Sequence, residues 1–229
     1  MKLKEAIILA GGLGTRLAHV LPGTPKPMAD ISGRPFLERL LSRLNKKGME
    51  HIILAVGYKA DLIENYFSDH LQPMELLFST EDEPLGTGGC IKKAIGMAKD
   101  ENILVVNGDT FFDCDPQLLF QQHGECDADL TLALKYEENP SRYGSVRIDP
   151  DGRVRGFSEK GKSDAGLIHA GVMVMKRHLL DAMPEKFSFE TDFLAKRYQD
   201  LRIFGHRFEG YFIDIGIPED YERAKKELS

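Results

Sequence analysis

Through the first half of the chain, short apolar runs alternate with amphipathic helical patterns, and that alternation leaves few folds open. Ala6-Ile7-Ile8-Leu9-Ala10 is followed by an amphipathic Pro35–Lys47, then by His51-Ile52-Ile53-Leu54-Ala55-Val56 and the helical pattern of Asp61–Phe67. Asn102-Ile103-Leu104-Val105-Val106 adds a run of consecutive apolar residues, as a central strand covered by helices on both faces requires. The pattern predicts an α/β fold with a Rossmann-like, mixed but mostly parallel sheet flanked by helices. The second half changes character. Asp129–Leu134, Ser145–Ile148, Val154–Phe157 and Leu167–Met175 read as strands, and Asp151-Gly152 is turn chemistry for a hairpin, so a partly antiparallel region should lie against the parallel half. Ser188 can cap a helix running to about Tyr198, and Pro218-Glu219-Asp220 reads as the acidic first turn of a terminal helix.

At 229 residues the chain is expected to form one domain, residues 1–229, large enough to bury a core and carry a cleft. Its 30 basic and 36 acidic residues give a net charge of −6 with no basic stretch interleaved with aromatics, so nucleic acid is a poor partner. Any positive charge used on phosphate must be local. Cys90, Cys114 and Cys126 lack the close paired spacing of a zinc or redox site and read as reduced packing thiols. The first apolar run is too short for a signal-peptide core and no later run reaches membrane-spanning length, so a cytoplasmic protein with no membrane partner is expected. The polar stretch Glu159–Ala165 follows a strand, where a mobile substrate loop could sit.

The first strand runs into Gly11-Gly12-Leu13-Gly14-Thr15-Arg16-Leu17, whose three glycines let the backbone approach a phosphate with N–H groups pointing inward. A dinucleotide fingerprint needs glycine where Leu17 stands, and a P-loop needs Lys and Ser/Thr directly after its second glycine. Instead the chain offers Arg16, a fork for polyphosphate, and Pro25-Lys26-Pro27, a point charge fixed between two prolines. The bland alternative is a tight turn with two solvated charges; the whole string from Gly11 to Met28 favours function. Asp109 closes Asn107-Gly108-Asp109 just past the carboxyl end of a buried strand, where open α/β sheets hold ligands and where a carboxylate suits magnesium. In isolation it would be a strand-ending turn.

These motifs, with Glu83-Pro84-Leu85-Gly86-Thr87-Gly88-Gly89, Glu159-Lys160, His169-Ala170-Gly171 and Phe212-Ile213-Asp214-Ile215-Gly216-Ile217-Pro218-Glu219-Asp220-Tyr221 in that order, make the chain resemble the sugar-phosphate nucleotidyltransferases over nearly its whole length. The resemblance implies a GT-A-like nucleotidyltransferase fold, with an N-terminal half that binds a nucleoside triphosphate and a C-terminal half that binds a sugar 1-phosphate. It implies Mg2+ on Asp109 and Asp214. Nucleotide contacts fall to Leu9, Gly11, Gly12, Gly14, Thr15 and Glu81 and, in a base-binding loop over Glu83–Gly89, to Pro84, Gly86 and Thr87. Tyr143, Gly144, Glu159, Lys160, His169, Ala170 and Gly171 line the sugar site. Arg16 holds the leaving pyrophosphate, Lys26 offsets charge on the α-phosphate, and Lys160 grips the sugar phosphate, so that Arg16, Lys26, Asp109 and Lys160 form the catalytic set.

The chain departs from the pattern at His169 (usually Asn), Ile217 (usually Thr) and Phe212 (commonly Trp). Lys26-Pro27-Met28-Ala29, Asn107–Asp113, Lys186–Glu190 and Tyr211–Tyr221 are most similar to family members that couple GTP to a heptose 1-phosphate. Mannose 1-phosphate with GTP, or glucose 1-phosphate with UTP or dTTP, remain alternatives, because no physical rule applied to Glu83–Gly89 separates guanine from uracil or thymine. The short stretch after the terminal helix leaves no room for the β-helix extension of some relatives. From other classes, a nicotinamide oxidoreductase would leave Pro25-Lys26-Pro27 and Asp214 idle, and a silent sugar-nucleotide-binding regulatory protein need not keep Arg16, Lys26, Asp109 and Asp214 together. Homo-oligomerisation stays open.

Overall fold

The computed structural model describes residues 2–12, 14–17, 19–69, 73–158 and 165–228. In chain order its elements begin with β1 (Glu5–Leu9), the short β2 (Asp30–Ile31) and β3 (Arg34–Pro35), α1 (Phe36–Lys46), β4 (His51–Val56), α2 (Ala60–Asp69), β5 (Glu75–Thr80), α3 (Gly86–Ile95), β6 (Asn102–Asn107), β7 (Thr110–Phe112) and α4 (Pro116–Glu125). They continue with β8 (Leu130–Glu137), β9 (Val146–Ile148), β10 (Val154–Phe157), β11 (Gly166–Lys176), a π-helix at Phe189–Leu194, α5 (Ala195–Arg197), β12 (Ile203–Arg207), β13 (Phe212–Asp214) and α6 (Pro218–Glu227). Among the described residues no helix is long and apolar enough to cross a membrane.

Seven strands form one sheet in the order β12-β8-β11-β6-β1-β4-β5. β5, β4, β1 and β6 run parallel, β11 lies antiparallel between β6 and β8, and β12 is parallel to β8. This is the mixed sheet the sequence predicts, and the Asp151-Gly152 turn does join an antiparallel β9–β10 hairpin. From β1 the chain builds outward to β4 and β5, then returns to the other side of β1 as β6. The carboxyl ends of β1 and β6 therefore part in opposite directions, leaving a crevice.

The consecutive apolar residues of the parallel strands serve two cores. Ile8, Ile52, Leu54, Leu104 and Val106 pack with Leu37, Leu41, Ile63, Phe67 and Leu119 on one face. Ile7, Ile53, Ala55, Ile103 and Val105 pack with Cys90, Ile91, Ala94, Phe189 and Phe193 on the other. Side chains alternate across a strand, so a run that is apolar at every position demands two helical layers. Each such Ile, Leu or Phe contributes about 1.5–3 kcal/mol by leaving water. A third cluster of Leu17, Ile31, Phe36, Ile213, Ile215 and Tyr221 fastens the end of the chain to the segment after β1.

One local expectation needs amendment. Ser188 does cap, its Oγ accepting from Thr191 N at 3.2 Å, but the next six residues wind as a π-helix and only Ala195–Arg197 is α-helical. The wider turn lets Phe189, Phe193 and Leu194 all reach the core, with the two rings stacked 5.4 Å apart. The glycines of the Glu83–Gly89 loop also open α3, and all three have a packing reason: a Cβ on Gly86 would lie 2.6 Å from the Phe187 carbonyl oxygen, one on Gly88 2.2 Å from the Phe187 ring, and one on Gly89 2.1 Å from the Glu185 carbonyl oxygen. Close approach of the 185–188 segment requires glycine there whether or not a ligand is bound.

Candidate active site

Two adjoining cavities, of about 490 and 610 Å³, open at the carboxyl ends of the parallel strands and share Lys26, Asn107, Asp109 and Glu190 in their walls. The first is framed by the loop after β1, by Gly57 and Tyr58 after β4, and by the stretch from Glu81 into α3. Backbone bonds set this frame: Tyr58 N donates to Gly11 O at 3.3 Å and Glu81 N to Val56 O at 2.8 Å. The chain must pass β1 closely at Gly108, whose N–H donates to Leu9 O at 2.9 Å and where a Cβ would sit 2.5 Å from that same oxygen. That contact explains the glycine before Asp109.

Of the residues expected at a nucleotide, Leu9, Gly11, Gly12, Gly14, Glu81, Pro84, Gly86 and Thr87 line this first cavity. Thr15 opens a short 3-10 turn, Thr15–Leu17, beside it. Glu81 carries an unusual carboxylate. Burial raises its pKa, while the Cys90 thiol and the Leu85 amide act the other way, and its Oε1 is out of solvent with no donor among the described residues. The Cys90 thiol, buried next to this acid, is itself pushed up to about 12.

The second cavity is lined by Arg16, Tyr143, Gly144, His169, Ala170, Gly171 and Asp214 among the expected residues. A bulge in β11 between His169 and Met173, with Gly171 at φ +71°, turns this stretch toward the cavity. Burial pulls the His169 imidazole down to about 4, so the ring is neutral, and its Nε2 has no partner among the described residues. Glu159 and Lys160 lie outside the described residues.

The acids meet where the cavities join. β13 pairs antiparallel with β7, setting Asp214 opposite Thr110, and Ile215 N donates to Asp109 O at 3.0 Å. Asp214 Oδ1 accepts from Gly216 N at 2.8 Å. Burial and, next, the neighbouring Asp109 carboxylate raise the Asp214 pKa, with Lys26 and Arg142 opposing. Lys26 is not free: its Nζ pairs with Asp109 Oδ2 at 2.7 Å.

Sequence reading missed three residues here. Asn107 and Glu190 stand in both walls. Arg142 pairs with Asp220 and lies 3.7 Å from Asp214 Oδ2. Its position directly before Tyr143-Gly144 was the one available signal, and nothing local distinguishes it from a surface arginine.

A sheet that opens between β1 and β6 onto glycine loops, a lysine and two converging carboxylates defines a class, and the chain belongs to the nucleotidyl transferase family, whose model matches residues 5–229. Over 226 residues it is 47% identical to the D-glycero-alpha-D-manno-heptose 1-phosphate guanylyltransferase of Aneurinibacillus thermoaerophilus, covering 98% of each chain. The crystal structure of HddC from Yersinia pseudotuberculosis superposes with a TM-score of 0.90 at 40% identity, covering 99% of this chain and 100% of that one. The same protein complexed with GMP-PN gives 0.88 at 39% identity, with coverage of 99% and 100%.

Proposed function

We propose that the chain transfers a guanylyl group from GTP to a heptose 1-phosphate, giving a GDP-heptose and pyrophosphate. The observation that carries the base assignment is Glu81, which sets a carboxylate in the wall of the first cavity. Guanine presents two adjacent donors on its pairing edge, N1–H and the 2-amino group, which a carboxylate accepts together. Uracil and thymine present one N–H between two carbonyls, whose oxygens would face the acid. The sugar assignment is supported by the Aneurinibacillus relative, named for a heptose 1-phosphate, and the guanine nucleotide by the Yersinia complex with GMP-PN.

In the proposed reaction an oxygen of the sugar 1-phosphate attacks the α-phosphorus in line, one P–O bond forms, and the bond to the β-phosphate oxygen breaks. The attacker is already ionised, so no general base is needed, and the protein's task is positioning and charge neutralisation. Backbone N–H groups of the Gly11–Gly14 loop cradle phosphate, Arg16 draws off the leaving pyrophosphate, and Lys26 faces the α-phosphate and its attacker. Tyr143, Gly144 and His169 orient the sugar, with Glu159 and Lys160 assigned to its hydroxyls and phosphate. Asp109 and Asp214 fit a magnesium ion, because they are two converging carboxylates whose mutual repulsion and burial already raise Asp214. When bound, the ion would neutralise phosphate charge.

The test is pyrophosphate release over a matrix of GTP, UTP, dTTP and CTP against heptose, mannose and glucose 1-phosphates. GTP with heptose 1-phosphate should give the highest kcat/KM. Preference for mannose 1-phosphate would overturn the sugar assignment alone, and preference for UTP or dTTP would overturn the reading of Glu81.

A further inference from the structure

Arg142 reaches the candidate metal pair from outside every motif that composes it. It ends the short 3-10 turn Pro140–Arg142 after β8, just before Tyr143 and Gly144 of the second cavity. Its guanidinium forms ion pairs with Asp220 in the first turn of α6 and, at 3.7 Å, with Asp214 Oδ2 at the end of β13. Asp220 is only 8% exposed and is also held by Arg223 at 3.1 Å, so the anchor is fixed. Across the site, Lys26 holds Asp109 at 2.7 Å. Each carboxylate of the pair thus has an internal cation paired with it.

The bonding is uneven. Asp220 receives the close contact while Asp214 receives the looser one, and the guanidinium Nε is buried without a partner among the described residues. An arginine meant only to brace α6 would spend its fork on Asp220 and its backbone neighbours; this one is shared with a carboxylate whose Oδ1 is already bound by Gly216 N. The Oδ2 it faces is the oxygen left for an incoming cation.

Resting on the reading of Asp109 and Asp214 as the metal pair, we infer that Arg142 is the resident counter-ion of Asp214 in the metal-free protein, and that a divalent cation competes with it for Oδ2. Arg142 is then a positioning residue: it keeps two like charges together before the cation arrives, and it yields when the cation binds. The consequence is a signed linkage. A residue that stabilises the metal-free state more than the loaded state weakens metal affinity by the same factor.

The experiment measures Mn2+ binding directly, by electron paramagnetic resonance of the free ion, with thermal melting in chelator and in excess Mn2+. Arg142→Met should bind Mn2+ more tightly, about three- to tenfold, as expected for removing a partly exposed like charge near the site. It should also lose more melting temperature in chelator than in Mn2+. Arg142→Lys, which keeps the charge, should stay near wild type. In an Asp214→Asn background the extra loss in chelator should vanish, which a bracing role through Asp220 alone would not produce. If Arg142→Met does not fold, Arg142→Gln, which keeps a donor for Asp220, serves with the same expected sign. Unchanged or weaker Mn2+ affinity in the neutral variant, with Asp109→Asn and Asp214→Asn both abolishing binding, overturns the inference and leaves the metal pair standing. Retained Mn2+ binding in both Asn variants refutes the metal pair itself, and this inference with it.

Discussion

Replacing Glu81 by Gln tests the base assignment at one atom. The substitution keeps size and shape but exchanges one acceptor for a donor, so the amide can accept from guanine N1–H while its own N–H faces the 2-amino group. Hydrogen bonds to a charged group contribute about 1.5–3 kcal/mol each. The structure argues for the upper part of that range, since the Glu81 carboxylate stands in the cavity wall and is already partly desolvated there. Losing one bond and opposing two donors should cost about 3 kcal/mol, or roughly a hundredfold in kcat/KM for GTP. ITP, which lacks the 2-amino group, makes the test independent of general damage. Wild type should prefer GTP over ITP by about 10- to 100-fold, the worth of one charge-assisted bond, and Glu81→Gln should bring that ratio to about one or below. The assay is initial-rate pyrophosphate release with both triphosphates at a fixed sugar 1-phosphate, beside a melting curve. Because burial raises the Glu81 carboxyl, its ionised form at neutral pH costs stability, so the Gln variant should melt no lower than wild type. A GTP-to-ITP ratio unchanged by the substitution would refute the reasoning, whatever happens to absolute rates.

Gly88→Ala should destabilise through packing, because its Cβ would lie 2.2 Å from the buried Phe187 ring; a loss of about 1–3 kcal/mol, read as a melting decrease of about 2–4 °C per kcal/mol, is expected, and an unchanged Tm would contradict it. Two histidines set an acid limit: burial holds both His123 and His169 at about 4, so they stay neutral in the fold while the unfolded chain protonates below about 6.5. Stability should therefore be full above about pH 6.5 and fall as pH drops toward 4, by at most about 3 kcal/mol per ring. Melting in chelator from pH 7 to 4 checks this. His123→Gln, which keeps partners for Asn102 Oδ1 and Thr131 Oγ1, should flatten part of the slope.

The layered architecture was legible because its cause is local. A strand that is apolar at successive residues must be covered on both faces, and Ile7 and Ile8 do enter different cores. Cap and turn chemistry at Ser188, Asp151-Gly152 and Pro218 was equally readable, since a side-chain acceptor, a positive φ or a missing N–H acts within a few residues. The π-helix was not legible, because Phe189–Leu194 winds to suit the core it faces rather than its own propensity.

For the site, the sequence by itself determined the inventory: a glycine loop, Arg16, Lys26, and acids at strand ends. Tertiary structure decided the relations among them. Asp109 and Asp214 become neighbours only because β13 pairs with β7, and Lys26 meets Asp109 across 83 positions of chain. Arg142 acquires a role only when α6 brings Asp220 to it. Glu81 becomes a candidate reader of guanine only when the fold sets its carboxylate in the cavity wall and partly desolvates it, since desolvation belongs to a place in the fold and not to a residue type.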